Sequence, residues 1–133
     1  MSNIEITTNT SRSVVVWEPV YIDNVVTFGG AGTLAAGTIL ARDSVSLKLV
    51  PYVKGGSTNE NGIPKAVLLD ALTATGAGDL TARPIVGGRL RAGDVVIDAD
   101  GDASNVDAAV EDQLRDYGIT LLTTTQLAEL DNQ

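Results

Sequence analysis

The chain of 133 residues has no cysteine and no histidine. Disulfides, thiol nucleophiles, zinc sites of the usual kind and a Ser-His-Asp triad are therefore out of reach. The lack of cysteine leaves the redox compartment open. Aromatic residues are scarce, with one Trp, one Phe and three Tyr. The core must then come from Val, Leu, Ile and Ala and should be thin, which favours completion by a partner or by further copies. Positive charge is also short: nine Lys and Arg against 17 Asp and Glu, a net charge of −8. Such a surface repels phosphate backbones, so no nucleic-acid partner is expected. The apolar runs are only a few residues long, far below a membrane-spanning helix, so no membrane role is expected. Met1–Thr10 carries no basic and apolar leader pattern, so no signal peptide is expected.

What is present points to short strands. The length suits one domain. Leu34 to Lys54 opens with the small-residue turn Ala35-Ala36-Gly37 and a strand at Thr38–Ala41. After Arg42–Asp43, Val45, Leu47 and Leu49 alternate with Ser44, Ser46 and Lys48. Period two predicts a half-buried strand there, ended by Pro51, which lacks a ladder donor.

Upstream, Met1–Ser13 is polar, with Ile4 and Ile6 alternating with Glu5 and Thr7. It reads either as a disordered terminus or as an arm that becomes a strand on a partner's sheet edge. Val14-Val15-Val16-Trp17 reads as a strand buried on both faces, bounded by Pro19. Val16 and Trp17 are either core or a contact patch for another chain. Val20–Ile22 resumes the strand pattern, Asp23-Asn24 makes a turn, and Val25–Phe28 is a further strand. Gly30-Ala31-Gly32-Thr33-Leu34-Ala35 fits G-x-G-x-x-A. Its context does not suit a nucleotide site, because Gly37 and Thr38-Ile39 follow and no acidic residue stands about 20 positions on. It is read as a loop.

Downstream, Gly55–Gly62 is a loop with a turn at Asn61-Gly62. Ala66–Leu69 is a strand. Leu72–Leu80 is small and polar, with a tight turn at Gly76–Asp79. Pro84 opens the strand Ile85-Val86, Gly87-Gly88 suggests a bulge, and the turn Ala92–Asp94 leads to Val95–Ile97. Asp98-Ala99-Asp100-Gly101-Asp102 has the oxygen spacing of a cation loop, but glycine stands fourth and Ala109 twelfth, so it reads as a solvated acidic turn. Asn105–Tyr117 is the one clear helix, capped by Ser104. Val106, Ala109, Val110, Leu114 and Tyr117 share a face, Glu111 and Arg115 pair outside, and Gly118 supplies the left-handed C′ position. Ile119–Leu122 is a closing strand. Thr123–Gln133 is polar, with Leu127 and Leu130, and reads as a short helix or a tail.

The order of these pieces resembles the head decoration proteins of tailed phages, the lambda-type capsid cement family. The pieces are Gly37-Thr38-Ile39-Leu40, Pro51-Tyr52, Gly62-Ile63 with Val67-Leu68, Gly78-Asp79, Val86–Leu90 and Leu114…Gly118-Ile119. They cover roughly Leu34 to Leu122. The resemblance implies a mainly β fold, a bent ribbon or incomplete barrel (β-clip-like) with one short α-helix near the C-terminus. It implies a non-enzymatic homotrimer without cofactor, catalytic residue or metal, on the outer surface of the expanded head and in the host cytoplasm during assembly. The major capsid protein would be its partner, met by the N-terminal arm. On this reading residues 1–33 are the arm and leading strands, 34–122 the decoration domain and 123–133 a tail. Ile4, Ile6, Val14, Val16 and Trp17 are the candidate capsid contacts. The chain departs from the lambda-type pattern at both ends, in its strand-rich Val14–Phe28 and in its tail. Two alternatives remain: another virion β module, of tail or baseplate, and a small β enzyme working through Asp94, Asp98, Asp100 and Asp102.

Overall fold

The computed structural model describes residues 15–123. The fold is mainly β, a curled half-barrel with one helix near its C-terminal end, as expected. It is organised by one long, bent, two-stranded ribbon. One side of the ribbon is β1 (Val15–Tyr21) followed by β2 (Asn24–Phe28). The other side is β8 (Gly78–Ala82) followed by β9 (Ile85–Arg91). β2 pairs antiparallel with β8 from Phe28↔Gly78 to Asn24↔Ala82, and β1 takes up β9 at Tyr21↔Ile85. Each step back on one strand matches a step forward on the other, so no register is lost at the corner. There the Ile22 amide donates to the Pro84 carbonyl at 3.3 Å, and Arg83 pairs with Asp23 at 3.1 Å. Asp23-Asn24 is therefore a bend within a continuing strand and not the turn that its composition suggested.

β4 (Ile39–Arg42), β5 (Leu49–Pro51) and β6 (Pro64–Val67) fill the inside of this bent ribbon. β4 lies between β5 and β6, antiparallel to both. β6 reaches β9 through the single pair Val67↔Ile85, and β5 reaches β2 through the single pair Val26↔Leu49. These two narrow seams curl the sheet into a half-barrel instead of a flat sheet. A separate small sheet joins β3 (Gly32–Leu34) to β7 (Leu72–Ala74).

β4 and β6 are buried on both faces, which divides the core in two. Ile39, Ala41 and Val67 face one cluster, with Tyr52, Ile85, Leu90, Val95 and Ile97. Leu40, Ala66 and Leu68 face the other, with Val26, Phe28, Leu34 and Leu49. Successive side chains on a strand point to opposite faces, so the adjacent apolar residues Ile39-Leu40-Ala41 of β4 and Ala66-Val67 of β6 suit a central layer. The first cluster is closed by α1 (Ala108–Asp116) and β10 (Ile119–Leu122), through Val110, Leu114, Ile119 and Leu121.

Several local expectations change. The alternation at Ser44–Leu49 is not a strand. The Asp43 carboxylate accepts from the Val45 and Ser46 amides at 2.8 and 2.9 Å, and the Leu47 amide donates back to the Asp43 carbonyl. An aspartate at this position competes locally with the ladder and wins. The result is a hairpin turn between β4 and β5, with Leu49 buried while Val45 and Leu47 are 75% and 65% exposed. The helix starts at Ala108, later than Asn105, because Asp107 and not Ser104 caps it, accepting from the Val110 amide at 3.1 Å. Ala109 is consequently exposed. Arg115 pairs with Asp112 instead of Glu111. Gly118 does take the left-handed conformation after the helix, with φ +92°. β1 runs through Pro19, where its pairing with β9 slips register; an edge strand with an irregularity tolerates the missing donor. In the Gly55–Gly62 loop the left-handed residues are Gly55, Asn59 and Glu60, upstream of the expected Asn61-Gly62.

Candidate interaction surface

Several strands have one partner strand among the described residues, β10, β3 and β7 among them, and two such edges, β1 and β8, bound the large sheet. β1 pairs with β9 alone, and β8 pairs with β2 alone. An edge strand presents unpaired amides and carbonyls and is a template for another chain. The β8 edge is charged: Asp79 accepts from Lys48 at 2.5 Å and from the Thr27 hydroxyl at 2.8 Å, and Lys48 and then Thr27 hold its carboxyl below the usual carboxylate range. Charge of this kind discourages strand addition. The β1 edge ends differently, in a run of three exposed apolar residues, Val20, Tyr21 and Ile22.

Of the candidate contacts, Val16 and Trp17 lie in β1, where Trp17 pairs through its backbone with Arg89. Ile4, Ile6 and Val14 fall outside the described residues. β1 and β2 belong to the same sheet as the strands after Leu34.

Three exposed apolar features escaped the sequence reading. Val20 is 53% exposed and lies over Gly87, at the point where a Cβ on that glycine would stand 3.4 Å from Val20 and 3.7 Å from the Gly118 carbonyl. Val45 and Leu47 crown the β4–β5 turn, held by the Asp43 network. Ser46 and then Val45 amides hold the Asp43 carboxyl low, so the turn keeps its cap down to acid pH. Tyr117 is exposed beside the helix end, with the Lys65 ammonium 3.8 Å above its ring. The signal for the turn was in the sequence: an aspartate followed by Ser44 and Ser46 favours an Asx turn over a strand.

The acidic loop spends its oxygens internally. The Ser104 amide donates to Asp102 and Asn105 donates to Asp100. Among the described residues, no group of three or more acidic side chains is placed to hold a metal. The segment after Gly30-Ala31-Gly32 is β3, so no helix N-terminus faces that loop. The cavity it lines with Pro51 and Asp98, of about 200 Å³, is open and polar. Asp107, at the helix start, is held low by Lys54 at 2.7 Å and then by the Val110 amide, an arrangement that fastens the helix to the loop after β5.

Fold and surface together define a mainly β structural module that presents strand edges and single apolar side chains. Residues 5–119 match the family model described as bacteriophage lambda head decoration protein D. The chain belongs to this family of phage head decoration proteins. No curated protein and no solved structure matches the chain. Membership implies binding to the phage capsid and a place on the virion head.

Proposed function

We propose that the protein is a capsid cement, which binds the outside of the expanded head as a homotrimer and stabilises it. The family match across residues 5–119 carries this reading, because it spans both the N-terminal segment and the half-barrel. A protein that binds only the expanded lattice stabilises that state by mass action. Closed threefold symmetry makes a ring of heterologous contacts that ends association at three copies. Three arms on one body raise avidity through effective concentration.

The major capsid protein is the proposed partner, and the capsid-contacting arm runs through Ile4, Ile6, Val14, Val16 and Trp17 into β1. Strand addition supplies affinity through main-chain hydrogen bonds and specificity through alternating side-chain pockets. The role is non-enzymatic and uses no cofactor, nucleic acid or membrane. The protein waits in the host cytoplasm during assembly and ends on the outer head surface. The net charge of −8 suits a part that must not engage DNA.

Purified protein titrated onto expanded heads that lack it should saturate at three copies per threefold site. Deletion of residues 1–13 should weaken that binding by at least tenfold and leave the far-ultraviolet circular dichroism of the free protein unchanged. Absence of saturable binding by the full chain would refute the cement role.

A further inference from the structure

We infer that the tip formed by two adjoining turns, Asp43–Lys48 and Thr58–Asn61, is the knob by which one copy of the chain grips the next. Its seat is the strip between Val20 and Tyr117 on the neighbouring copy. This names a contact of the homotrimer proposed above and rests on that reading.

The tip combines strain, rigidity and exposed apolar surface. Among the described residues three that are not glycine hold left-handed backbone: Leu47 at φ +64°, Asn59 at +47° and Glu60 at +64°. All three lie in these two turns. The turns are fastened to each other, because the Ser44 amide donates to the Asn59 carbonyl at 3.0 Å and the Asn59 side-chain amide to the Asp43 carboxylate at 3.4 Å. The Arg42 guanidinium donates to the Leu47 carbonyl at 2.8 Å and fixes that residue further. Left-handed backbone is ordinary for asparagine and costly for leucine. Glycine or asparagine at position 47 would hold the same turn without the cost. Leu47 stands there instead, and with Val45 it is the most exposed of the large apolar side chains described. Neither side chain repays its exposure within its own chain. Strain kept at a rigid, exposed apolar point marks a contact with another molecule. A fixed tip also loses little freedom on docking.

The seat lies on the same chain. A Cβ on Gly87 would stand 3.4 Å from Val20 and 3.7 Å from the Gly118 carbonyl, so Val20 and the Gly118 backbone flank that glycine. Gly118 follows Tyr117, whose exposed ring carries the Lys65 ammonium 3.8 Å above it. The strip is therefore apolar at Val20 and Tyr117, bare of side chains at Gly87 and Gly118, and basic at Lys65. The tip is its complement: Val45 and Leu47 are apolar, and Glu60 stands exposed next to Asn59. The Asp43 carboxylate is spent on the Val45 and Ser46 amides, which leaves Glu60 as the acid to meet Lys65. This match of apolar surface and charge makes a second copy of the chain the occupant. Knob and seat are different surfaces, so the contact is heterologous, the kind that closes into a ring.

The test uses the absence of cysteine from the chain. Full-length Leu47→Cys and Tyr117→Cys chains are mixed, bound to expanded heads lacking the protein, and treated with a short bis-maleimide. The main product should join position 47 of one copy to position 117 of another, as read by peptide mass spectrometry. Cross-linking of position 47 to the capsid protein, products joining like positions in equal yield, or no cross-link on heads that have bound the protein would overturn the inference and leave the cement role standing. Heads that bind none of the parent chain would remove both. A charge exchange tests the pairing separately. Lys65→Glu should weaken binding to heads about fivefold, and Glu60→Lys added in the same chain should restore it. No recovery overturns the Glu60–Lys65 contact. In dilute free chains the urea midpoints of these variants should stay close to the parent's, which separates a lost contact from a lost fold.

Discussion

Gly37 sits where two backbones cross, and Gly37→Ala should be among the costliest single-methyl additions to this fold. Its φ is +90°, and a Cβ built there lies 2.1 Å from the Asp94 carbonyl oxygen and 3.2 Å from its carbon. Two costs add. Placing an L-residue in left-handed backbone costs about 1–2 kcal/mol. The clash is with backbone, so the Asp94–Val96 segment must move. That segment is tied by the Val96 amide to the Gly37 carbonyl and by the Ile39 amide to the Val96 carbonyl, both at 2.8 Å. Loosening two such bonds costs about 1 kcal/mol each. The sum is about 3–4 kcal/mol, a large share of the roughly 5–15 kcal/mol that a domain typically has. Two glycines serve as internal standards. Gly118 has φ +92° but its nearest neighbour is 3.7 Å away, so Gly118→Ala should cost only the conformational term, about 1–2 kcal/mol. Gly93 has ordinary backbone and nothing within 4 Å, so Gly93→Ala should lie within about 0.5 kcal/mol of the parent. Urea unfolding followed by far-ultraviolet circular dichroism gives all three values on one scale. Equal losses at Gly37 and Gly118 would refute the crossing as described.

Further outcomes follow from the turn and from the carboxylates. Leu47 holds φ +64° with its side chain exposed, so Leu47→Gly should leave stability within about 1 kcal/mol of the parent, as relief of strain offsets glycine's entropy. A loss above 2 kcal/mol in urea would show that the side chain is packed. Asp43, Asp79 and Asp107 all have carboxyls lowered by hydrogen bonds or lysine partners. Near pH 4 the unfolded chain then binds more protons than the folded one, so their contribution is present above the unfolded pKa of about 3.9 and is lost as pH falls through the lower folded values. With no histidine, the thermal midpoint should be nearly flat from pH 8 to 5 and drop below pH 4. A drop between pH 8 and 6 would contradict this assignment.

The sequence made local chemistry legible where one residue decides. Gly118 after the helix and the closing strand Ile119–Leu122 follow from chain pattern, and so does the β character of the apolar runs. It misled where two local rules competed. Period two across Val45, Leu47 and Leu49 argued for a strand, but the Asp43 carboxylate, two residues before Val45, captured the amides first. Ser104 and Asp107 were both able to cap a helix, and Asp107 also had Lys54 to hold it in place. The continuous register from Phe28↔Gly78 to Tyr21↔Ile85 was not legible at all, because it joins residues 50 to 64 positions apart through a corner that reads locally as a turn. The candidate contact residues were picked by apolar alternation and resemblance; β1 now gives two of them, Val16 and Trp17, a position on an open strand edge.

The most direct measurement is a cryo-electron microscopy reconstruction of expanded heads, isolated without this protein and then incubated with it. The account requires added density of three copies at each threefold and quasi-threefold position on the outer face, with connections from the Val15 end of β1 in each copy to the underlying capsid protein. Heads without added density, or density on the tail alone, would contradict it.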